Sequence, residues 1–199
     1  MVAAREAKDR PPMSPTRAPA SRLRPAGFSL LELMITVSVA GILLGLAAPS
    51  FNGILLDSQR TVAVNSFVHS IYLARSTAAN QGRTVSICRS TDGDTCSNGT
   101  ANWQQGWIVF VNTDRDEPPM RDANEQILSV QAPWRGGTVT SNRRSFSFRP
   151  YQHAVVNGTL VFCDRRGPTQ ARAIVINIAG RPRIATRDSD NRPLRCPNG

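Results

Sequence analysis

An uncharged apolar run with a single acid near its start constrains this chain more than any other feature. The run covers residues 28–48, and its one charged side chain is that of Glu32. About 20 apolar residues make a helix long enough to cross the hydrocarbon core of a bilayer. A carboxylate inside such a helix costs about 2.5 kcal/mol at the centre and less near an end. We therefore expect a membrane-compatible helix in which a cation compensates Glu32. An ordinary signal anchor that tolerates an interfacial acid is the alternative.

Basic residues precede the apolar run. Residues 1–26 hold six basic and two acidic side chains, a net charge of +4. By the positive-inside rule this segment stays in the cytoplasm. It also contains five prolines, so we expect no fold there. Met13 offers a second translation start, and the sequence leaves the choice between Met1 and Met13 open.

The junction between these two segments resembles a known processing site. Secretory signals are cleaved after their apolar run, whereas here the residues Gly-Phe-Ser-Leu-Leu-Glu at positions 27–32 open the run. This pattern resembles the cleavage and methylation site of type IV prepilins. The resemblance implies that a prepilin peptidase cuts between Gly27 and Phe28 and methylates the new amino terminus. It further implies that Glu32 pairs with the terminal amine of a neighbouring subunit in the filament.

The resemblance also predicts the domain organisation. Residues 1–27 are a leader that is removed, residues 28–54 a transmembrane and filament-core helix, and residues 55–199 a globular head with a basic C-terminal segment at 180–199. Apolar residues at helical spacing continue from Pro49 to about Gln81. They are Phe51, Leu55, Val62, Phe67, Ile71, Leu73, Ala74 and Ala78. We expect one long, bent helix whose second half packs on the head.

From Arg83 onward the pattern changes to short strands separated by turn residues. The predicted strands cover residues 84–89, 106–112, 126–131, 138–140, 145–149, 159–163 and 172–178. Such spacing predicts antiparallel sheet. Residues 103–112 and 158–163 resemble the GspH/FimT branch of pilin-like proteins. The expected fold class is therefore α+β, the type IV pilin fold, with a long N-terminal helix packed on a small antiparallel, β-sandwich-like head.

The cysteines indicate disulfides. Their spacing lacks the C-x-x-C pattern, and no histidine is placed to complete a zinc site, so we expect no metal. An exported head lies in an oxidising compartment, where an even cysteine count favours disulfides. Four cysteines allow three pairings. The favoured one joins Cys88 to Cys96 and Cys163 to Cys196.

Positive charge concentrates at the C-terminal end. Residues 163–199 hold eight arginines and three aspartates, a net charge of +5. Within them, Gly180-Arg181-Pro182-Arg183 follows an apolar strand. The glycine and proline predict a turn that holds two guanidinium groups at a fixed separation, and such groups match phosphate oxygens. The candidate DNA-binding residues are Gly180, Arg181, Arg183, Arg187, Arg192, Arg195, Arg165 and Arg166.

The Gly-Arg-x-Arg pattern resembles the motif by which FimT-type minor pilins of naturally competent bacteria bind DNA. No aromatic residue follows Phe162, so bases have no stacking platform and phosphate contacts should dominate. Binding is then expected to be independent of sequence and steeply dependent on salt. The alternative is a solvated basic surface whose arginines pair with Asp188 or Asp190 or contact anionic lipid heads.

The leading hypothesis is a minor type IV pilin that captures extracellular DNA for natural transformation. Its expected partners are DNA, other major and minor pilins, the prepilin peptidase and the inner membrane through one helix. Its expected location is the inner membrane, with the head in the periplasm, and then the pilus at the cell surface. Two alternatives stay open: a structural tip or priming pilin without DNA binding, and the corresponding pseudopilin of a type II secretion system.

The sequence carries no signature of catalysis. Neither His69 nor His153 stands in a motif that organises a nucleophile, and no glycine-rich phosphate loop is present. We expect neither an enzyme nor a cofactor.

Overall fold

The computed structural model describes residues 27–99, 102–151 and 157–197. The expectations for the leader at 1–26 and for His153 lie outside these residues. The chain divides into two compact units, Met1–Gly45 and Leu46–Gly199.

The described part of the first unit begins with three exposed residues outside regular structure, Gly27 to Ser29, after which α1 begins at Leu30. Ser29 Oγ accepts the peptide N–H of Glu32 at 3.3 Å, and the Ser29 carbonyl accepts that of Leu33 at 3.1 Å. A serine followed three residues later by glutamate is the sequence of a capping box. The start of α1 is therefore encoded by its own residues.

Helix α1 spans Leu30–Gln81, so the single long helix predicted from sequence is present. Large apolar side chains between Leu30 and Leu44 are exposed. No helix in the described part of the chain is both long and apolar enough to cross a membrane.

Within the second unit, one face of α1 packs into the core. Its buried apolar residues are Ala63, Val64, Phe67, Ile71, Ala74 and Ala78. The predicted apolar stripe is thus right from Phe67 onward, with Leu73 partly buried against the core. It is wrong at Phe51, Leu55 and Val62, which stay exposed because the core face passes through Ala63 and Val64 instead.

Eight strands in the described residues form two antiparallel sheets of four strands each. The first sheet has the order β3-β2-β1-β5 and the second the order β4-β6-β7-β8. The strands are β1 Thr84–Arg89, β2 Trp107–Asn112, β3 Ile127–Gln131, β4 Gly137–Ser141, β5 Ser145–Phe148, β6 Gly158–Asp164, β7 Arg172–Ile176 and β8 Pro182–Ala185. All seven predicted strands are present, and the predicted α+β fold is confirmed.

The two sheets and α1 share one core with Phe67 near its centre. The Phe67 ring contacts those of Trp103, Trp107 and Phe146, with centroids 5.2, 5.0 and 5.9 Å apart. Trp107 Nε1 also donates to Ser70 Oγ at 2.9 Å. Because aromatic pairs in edge-to-face geometry stabilise beyond their buried area, this cluster ties α1 to the first sheet.

A smaller apolar cluster lies on the other face of the second sheet. It contains Cys163, Ala171, Ala173, Val175 and Leu194. Apolar periodicity did not indicate that the segment after β8 would pack, yet Leu194 is 5% exposed.

The disulfides join Cys88 to Cys96 and Cys163 to Cys196, with Cα atoms 5.6 and 5.9 Å apart. These are the pairings favoured from sequence, and the second holds the C-terminal segment on the sheet.

The turn predicted over Gly180–Arg183 is correct only as far as Gly180. That residue has φ of +69°, a left-handed conformation that glycine adopts readily. Residues Pro182–Ala185 then form β8 and pair with β7. Proline is tolerated there because β8 is an edge strand and Pro182 its first residue.

Candidate nucleic-acid interface

A rigid hairpin between β7 and β8 positions Arg181 and Arg183. The Asn177 carbonyl accepts the Gly180 N–H at 2.8 Å, and Asn177 Oδ1 accepts the Arg181 N–H at 2.9 Å. The Asn177 N–H donates in turn to the Arg181 carbonyl at 3.2 Å. A three-residue loop ending in a left-handed glycine is a common hairpin geometry. The hairpin therefore holds both arginine backbones in one arrangement.

Arg181 and Arg183 share one face of the second sheet. Arg183 lies opposite Val175 in the β7–β8 register, and Val175 lies opposite Thr159 in the β6–β7 register. Residues two apart in an extended segment point to the same side, so the Arg181 side chain lies on the same face as that of Arg183. Val175 belongs to the cluster that contains Leu194. We call this side of the second sheet the outer face.

The C-terminal segment brings further arginines to the outer face. Asp188 Oδ1 accepts the N–H groups of Asp190 at 2.9 Å and Arg192 at 2.8 Å, which closes a compact loop. The backbone of Arg187 forms an isolated antiparallel β-bridge with Pro193, and Arg187 Nη1 donates to the Asn191 carbonyl at 3.0 Å. The loop is thus ordered by its own aspartate.

Among the described residues, one arginine of this loop pairs with a carboxylate. Arg192 Nη2 lies 2.7 Å from Asp190 Oδ2, with the two side chains 70% and 56% exposed. This pair agrees with the alternative interpretation for Arg192. An ion pair so exposed contributes at most about 1 kcal/mol, and a competing phosphate can displace it.

A groove of about 530 Å³ runs along the outer face between the sheet and the C-terminal segment. Thr140, Asn142 and Thr159 line the sheet side, and Arg192 and Arg195 line the opposite side together with two aspartates. The structure therefore collects five of the predicted arginines on the outer face, and all five are exposed. They are Arg181, Arg183, Arg187, Arg192 and Arg195.

Arg165 and Arg166 lie elsewhere. Both follow the C-terminal end of β6, which pairs with the start of β7 through Phe162 and Arg172. The β7–β8 hairpin is at the other end of the same sheet. Arg165 is exposed at its end of the sheet, so the structure does not bring it to the hairpin.

Carboxylates already contact the guanidinium group of Arg166, another of the predicted DNA-binding residues. Arg166 Nη2 lies 2.7 Å from both Asp57 Oδ1 and Asp164 Oδ2. Arg60 contacts the same two carboxylates, at 2.6 Å and 3.0 Å. The Arg60 and Asp164 side chains are buried, so these four residues form a structural network between α1 and β6.

The network also shifts ionisation. The hydrogen bond from Arg166 is the largest cause that lowers the pKa of Asp57 and of Asp164. The two carboxylates in turn raise the pKa of Arg166 above its ordinary value. These groups therefore stay charged across the physiological range, and their charges compensate one another.

Sequence reasoning did not identify a second basic group, at the β4–β5 connection. Arg143 and Arg144 adjoin the groove through Asn142 and stand beside Arg89, the last residue of β1. The available signal was an Arg-Arg pair between two short strands, which alone indicates no more than a solvated turn.

Comparison with known proteins identifies the family. Residues 63–180, more than half of the chain, match the family described as type II transport protein GspH. The chain belongs to the GspH family. Residues 22–48 match the prokaryotic N-terminal methylation motif, which covers the predicted processing site. With both matches, this GspH-family chain is a minor type IV pilin or pseudopilin, a structural class of protein that assembles with other pilins after prepilin processing.

Solved structures with some similarity include two crystal forms of the type IV minor pilin FimU of Pseudomonas aeruginosa PAO1. The P21 form is 19% identical, with a TM-score of 0.48 and coverage of 70% of this chain and 96% of FimU. The P65 form is 17% identical, with a TM-score of 0.44 and coverage of 63% and 91%. No match was found among curated proteins.

Proposed function

We propose that this GspH-family protein binds duplex DNA through its backbone phosphates and captures DNA for natural transformation. The observation that carries the proposal is the β7–β8 hairpin. It presents Arg181 and Arg183 on one face, both exposed, and neither has a carboxylate partner among the described residues. Their charges are therefore available to an external anion.

The arrangement favours phosphate over bases. The hydrogen-bonded hairpin fixes the backbone positions of both arginines, and guanidinium groups match phosphate oxygens in geometry. If the outer face neutralises about 4–6 phosphates, the logarithm of the binding constant falls against the logarithm of salt with a slope of about −4 to −5. A single head then binds weakly, and several heads on one fibre gain affinity through avidity.

The test uses the full-length protein in detergent and a fluorescent 20-base-pair duplex over a salt series. Arg181→Gln with Arg183→Gln is expected to weaken binding several-fold or more and to reduce the slope by about 2. The matched control is Arg83→Gln with Arg115→Gln, which removes the same charge from exposed sites in the connections next to the first sheet. Equal losses in both variants would mean that only net charge matters, and unchanged binding by the hairpin variant would refute the proposal.

A pseudopilin of type II secretion is the second candidate, and the description of the matched family favours it. In that role the outer face would contact other pseudopilins or exported proteins. A deletion strain separates the two candidates. Loss of transformation with normal protein secretion supports DNA capture, whereas the reverse supports secretion.

For assembly, we propose that the chain is cut between Gly27 and Phe28 and that Glu32 pairs with a subunit amine. The methylation-motif match spans this junction, and Gly27 and Phe28 are exposed and precede the helix, where a peptidase can reach them. Membrane anchoring through residues 28–54 belongs to the same proposal.

The capping contact at Ser29 makes the Glu32 test sharper. Glutamine also serves at the third position of a capping box, so Glu32→Gln removes the charge while it keeps the cap. Ser29→Ala instead removes the capping hydroxyl and keeps the charge. We expect Glu32→Gln to abolish incorporation into sheared pili and Ser29→Ala to leave most of it. The opposite ranking would assign Glu32 a purely local role.

A further inference from the structure

A second group of arginines surrounds a pocket of about 500 Å³ at the β4–β5 connection. Arg89, Arg143 and Arg144 line it, together with polar residues such as Asn102 and Asn142 and the apolar Trp103 and Val139. The described residues around this pocket include no carboxylate. Three arginines therefore lie around one concave site, where Arg89 Nη2 donates to the Gly99 carbonyl at 3.3 Å.

Two of these arginines face each other across strands. The β1–β5 pairing ends with Cys88 opposite Ser145, so the next positions, Arg89 and Arg144, lie opposite each other. Like charges directly opposite in a sheet are destabilising. Partial burial lowers the pKa of Arg89, and the nearby charge of Arg144 lowers it further. An anion bound in this pocket would interact favourably with both charges.

The β4–β5 connection is held in place before any ligand arrives. Trp103 Nε1 donates to the Arg143 carbonyl at 3.0 Å, and Ser141 Oγ accepts the Arg143 N–H at 3.1 Å. Arg143 Nε and Nη2 donate to the carbonyl and Oδ1 of Asn157 at 3.0 and 3.2 Å. Ordering Arg143 on binding therefore costs little conformational entropy.

The pocket is continuous with the outer-face groove. Thr140, Ser141 and Asn142 line both. From β8, which carries Arg183, to β4 the second sheet spans three strand spacings, about 14 Å at ~4.8 Å each. Because each DNA strand carries one phosphate per ~3.4 Å of axis, this distance corresponds to about four base pairs. One duplex can reach both sets of arginines.

We infer that the pocket of Arg89, Arg143 and Arg144 is a second phosphate-binding site, which extends the DNA-binding surface beyond the outer-face arginines. The inference rests on the proposed function for the source of the phosphate. The ligand that suits this site is an oxyanion with two or more free oxygens, because a guanidinium group can bind two oxygens at once.

The first test measures the pocket without DNA, on the full-length protein in detergent. Inorganic phosphate at millimolar concentration is expected to raise the melting temperature above that in chloride of equal ionic strength, since a ligand of the native state stabilises it. Arg144→Gln is expected to lose most of this shift. The matched control Arg83→Gln, at the opposite end of β1, is expected to keep it. A full shift in Arg144→Gln would overturn the inference.

The second test adds the 20-base-pair duplex. Arg144→Gln is expected to reduce the slope of the salt dependence by about 0.9, the contribution of one phosphate, while Arg83→Gln leaves it unchanged. Wild-type binding by Arg144→Gln, with binding lost in the hairpin double variant, would overturn this inference alone. Wild-type binding by the hairpin double variant would overturn the proposed function. The phosphate-dependent shift in melting temperature would then still test whether the pocket binds phosphate.

Discussion

Two sets of arginines in the same head have opposite environments. Arg60 and Arg166 contact Asp57 and Asp164 at 2.6–3.0 Å, and Arg60 is buried. We call these the paired arginines. The outer-face arginines are exposed, and at Arg181 and Arg183 the described residues supply no carboxylate. The residue type is the same in both sets, so its role depends on what surrounds the guanidinium group.

The difference is one of desolvation and compensation. A buried charge is stable only with a partner, and removal of the partner leaves an uncompensated ion in a poorly hydrated place. An exposed guanidinium group keeps its hydration and can exchange water for phosphate. The paired arginines therefore hold α1 to β6, and the outer-face arginines remain available for a ligand.

The largest expected effect comes from Asp164→Ala. It leaves Arg60 buried and without one of its two carboxylates, and loss of one member of a buried pair typically costs about 3–5 kcal/mol. Denaturant unfolding of the full-length protein measures the loss of unfolding free energy. A loss of unfolding free energy below about 1 kcal/mol would mean that these ion pairs contribute no more than ordinary surface ion pairs. The paired arginines would then not differ in this respect from the outer-face arginines.

Next is removal of the C-terminal disulfide by Cys163→Ser with Cys196→Ser. A disulfide commonly contributes about 2–4 kcal/mol, and loss of this bond frees the segment that carries Arg192 and Arg195. Unfolding free energy and DNA affinity should both fall. The control, Cys88→Ser with Cys96→Ser, spans 8 residues instead of 33. Chain entropy gives it about 1 kcal/mol less effect. If this control variant weakens DNA binding by the same amount, DNA binding by the outer face does not depend on the Cys163–Cys196 disulfide.

Low pH should distinguish the paired arginines from the outer-face arginines. The pKa values of Asp57 and Asp164 are lower in the folded protein than the ordinary value of 3.8. Their stabilising contribution is therefore complete above the unfolded pKa and is lost as pH falls through the folded values. Unfolding measured between pH 6 and pH 2 should show this loss below about pH 4. Asp164→Asn should flatten the profile, and an unchanged profile would contradict the network.

The smallest expected effect is that of Asp190→Asn. The Asp190–Arg192 pair is exposed, so stability should change by less than about 1 kcal/mol. DNA affinity should rise slightly, because Arg192 no longer has a competing carboxylate. Fluorescence anisotropy with the duplex measures this. Weaker binding would show that Asp190 positions Arg192 and does not compete for it.

Local signals predicted most of the fold. The apolar run and the apolar residues at helical spacing after it predicted the long helix α1, and short apolar segments separated by turn residues predicted seven of the strands. β8 was missed because Pro182 is a local signal against a strand, and only pairing with β7 at a sheet edge overrides it. The burial of Leu194 was not predicted, because it packs against Ala173 and Val175 of the second sheet, which are distant from it in sequence.

The candidate site was predicted only in composition. Arginine density and the Gly180–Arg183 motif indicated a basic end, and the hairpin keeps Arg181 and Arg183 exposed on one face. The ion pairs of Arg166 were not predicted, because Asp57 lies on α1, 109 positions away in sequence, and the pairing with Asp164 depends on the turn after β6. Arg144 was not identified at all, because its neighbour Arg89 lies on another strand.

By itself the sequence determined the apolar helix with its single acid, the strand pattern, the cysteine count and the amount of positive charge. These follow from local propensity and composition, which need no knowledge of distant contacts. Only the tertiary structure decided which arginines are paired with buried carboxylates and which face the solvent together. That division depends on strand register and desolvation, and both arise when residues separated by many positions are brought into contact.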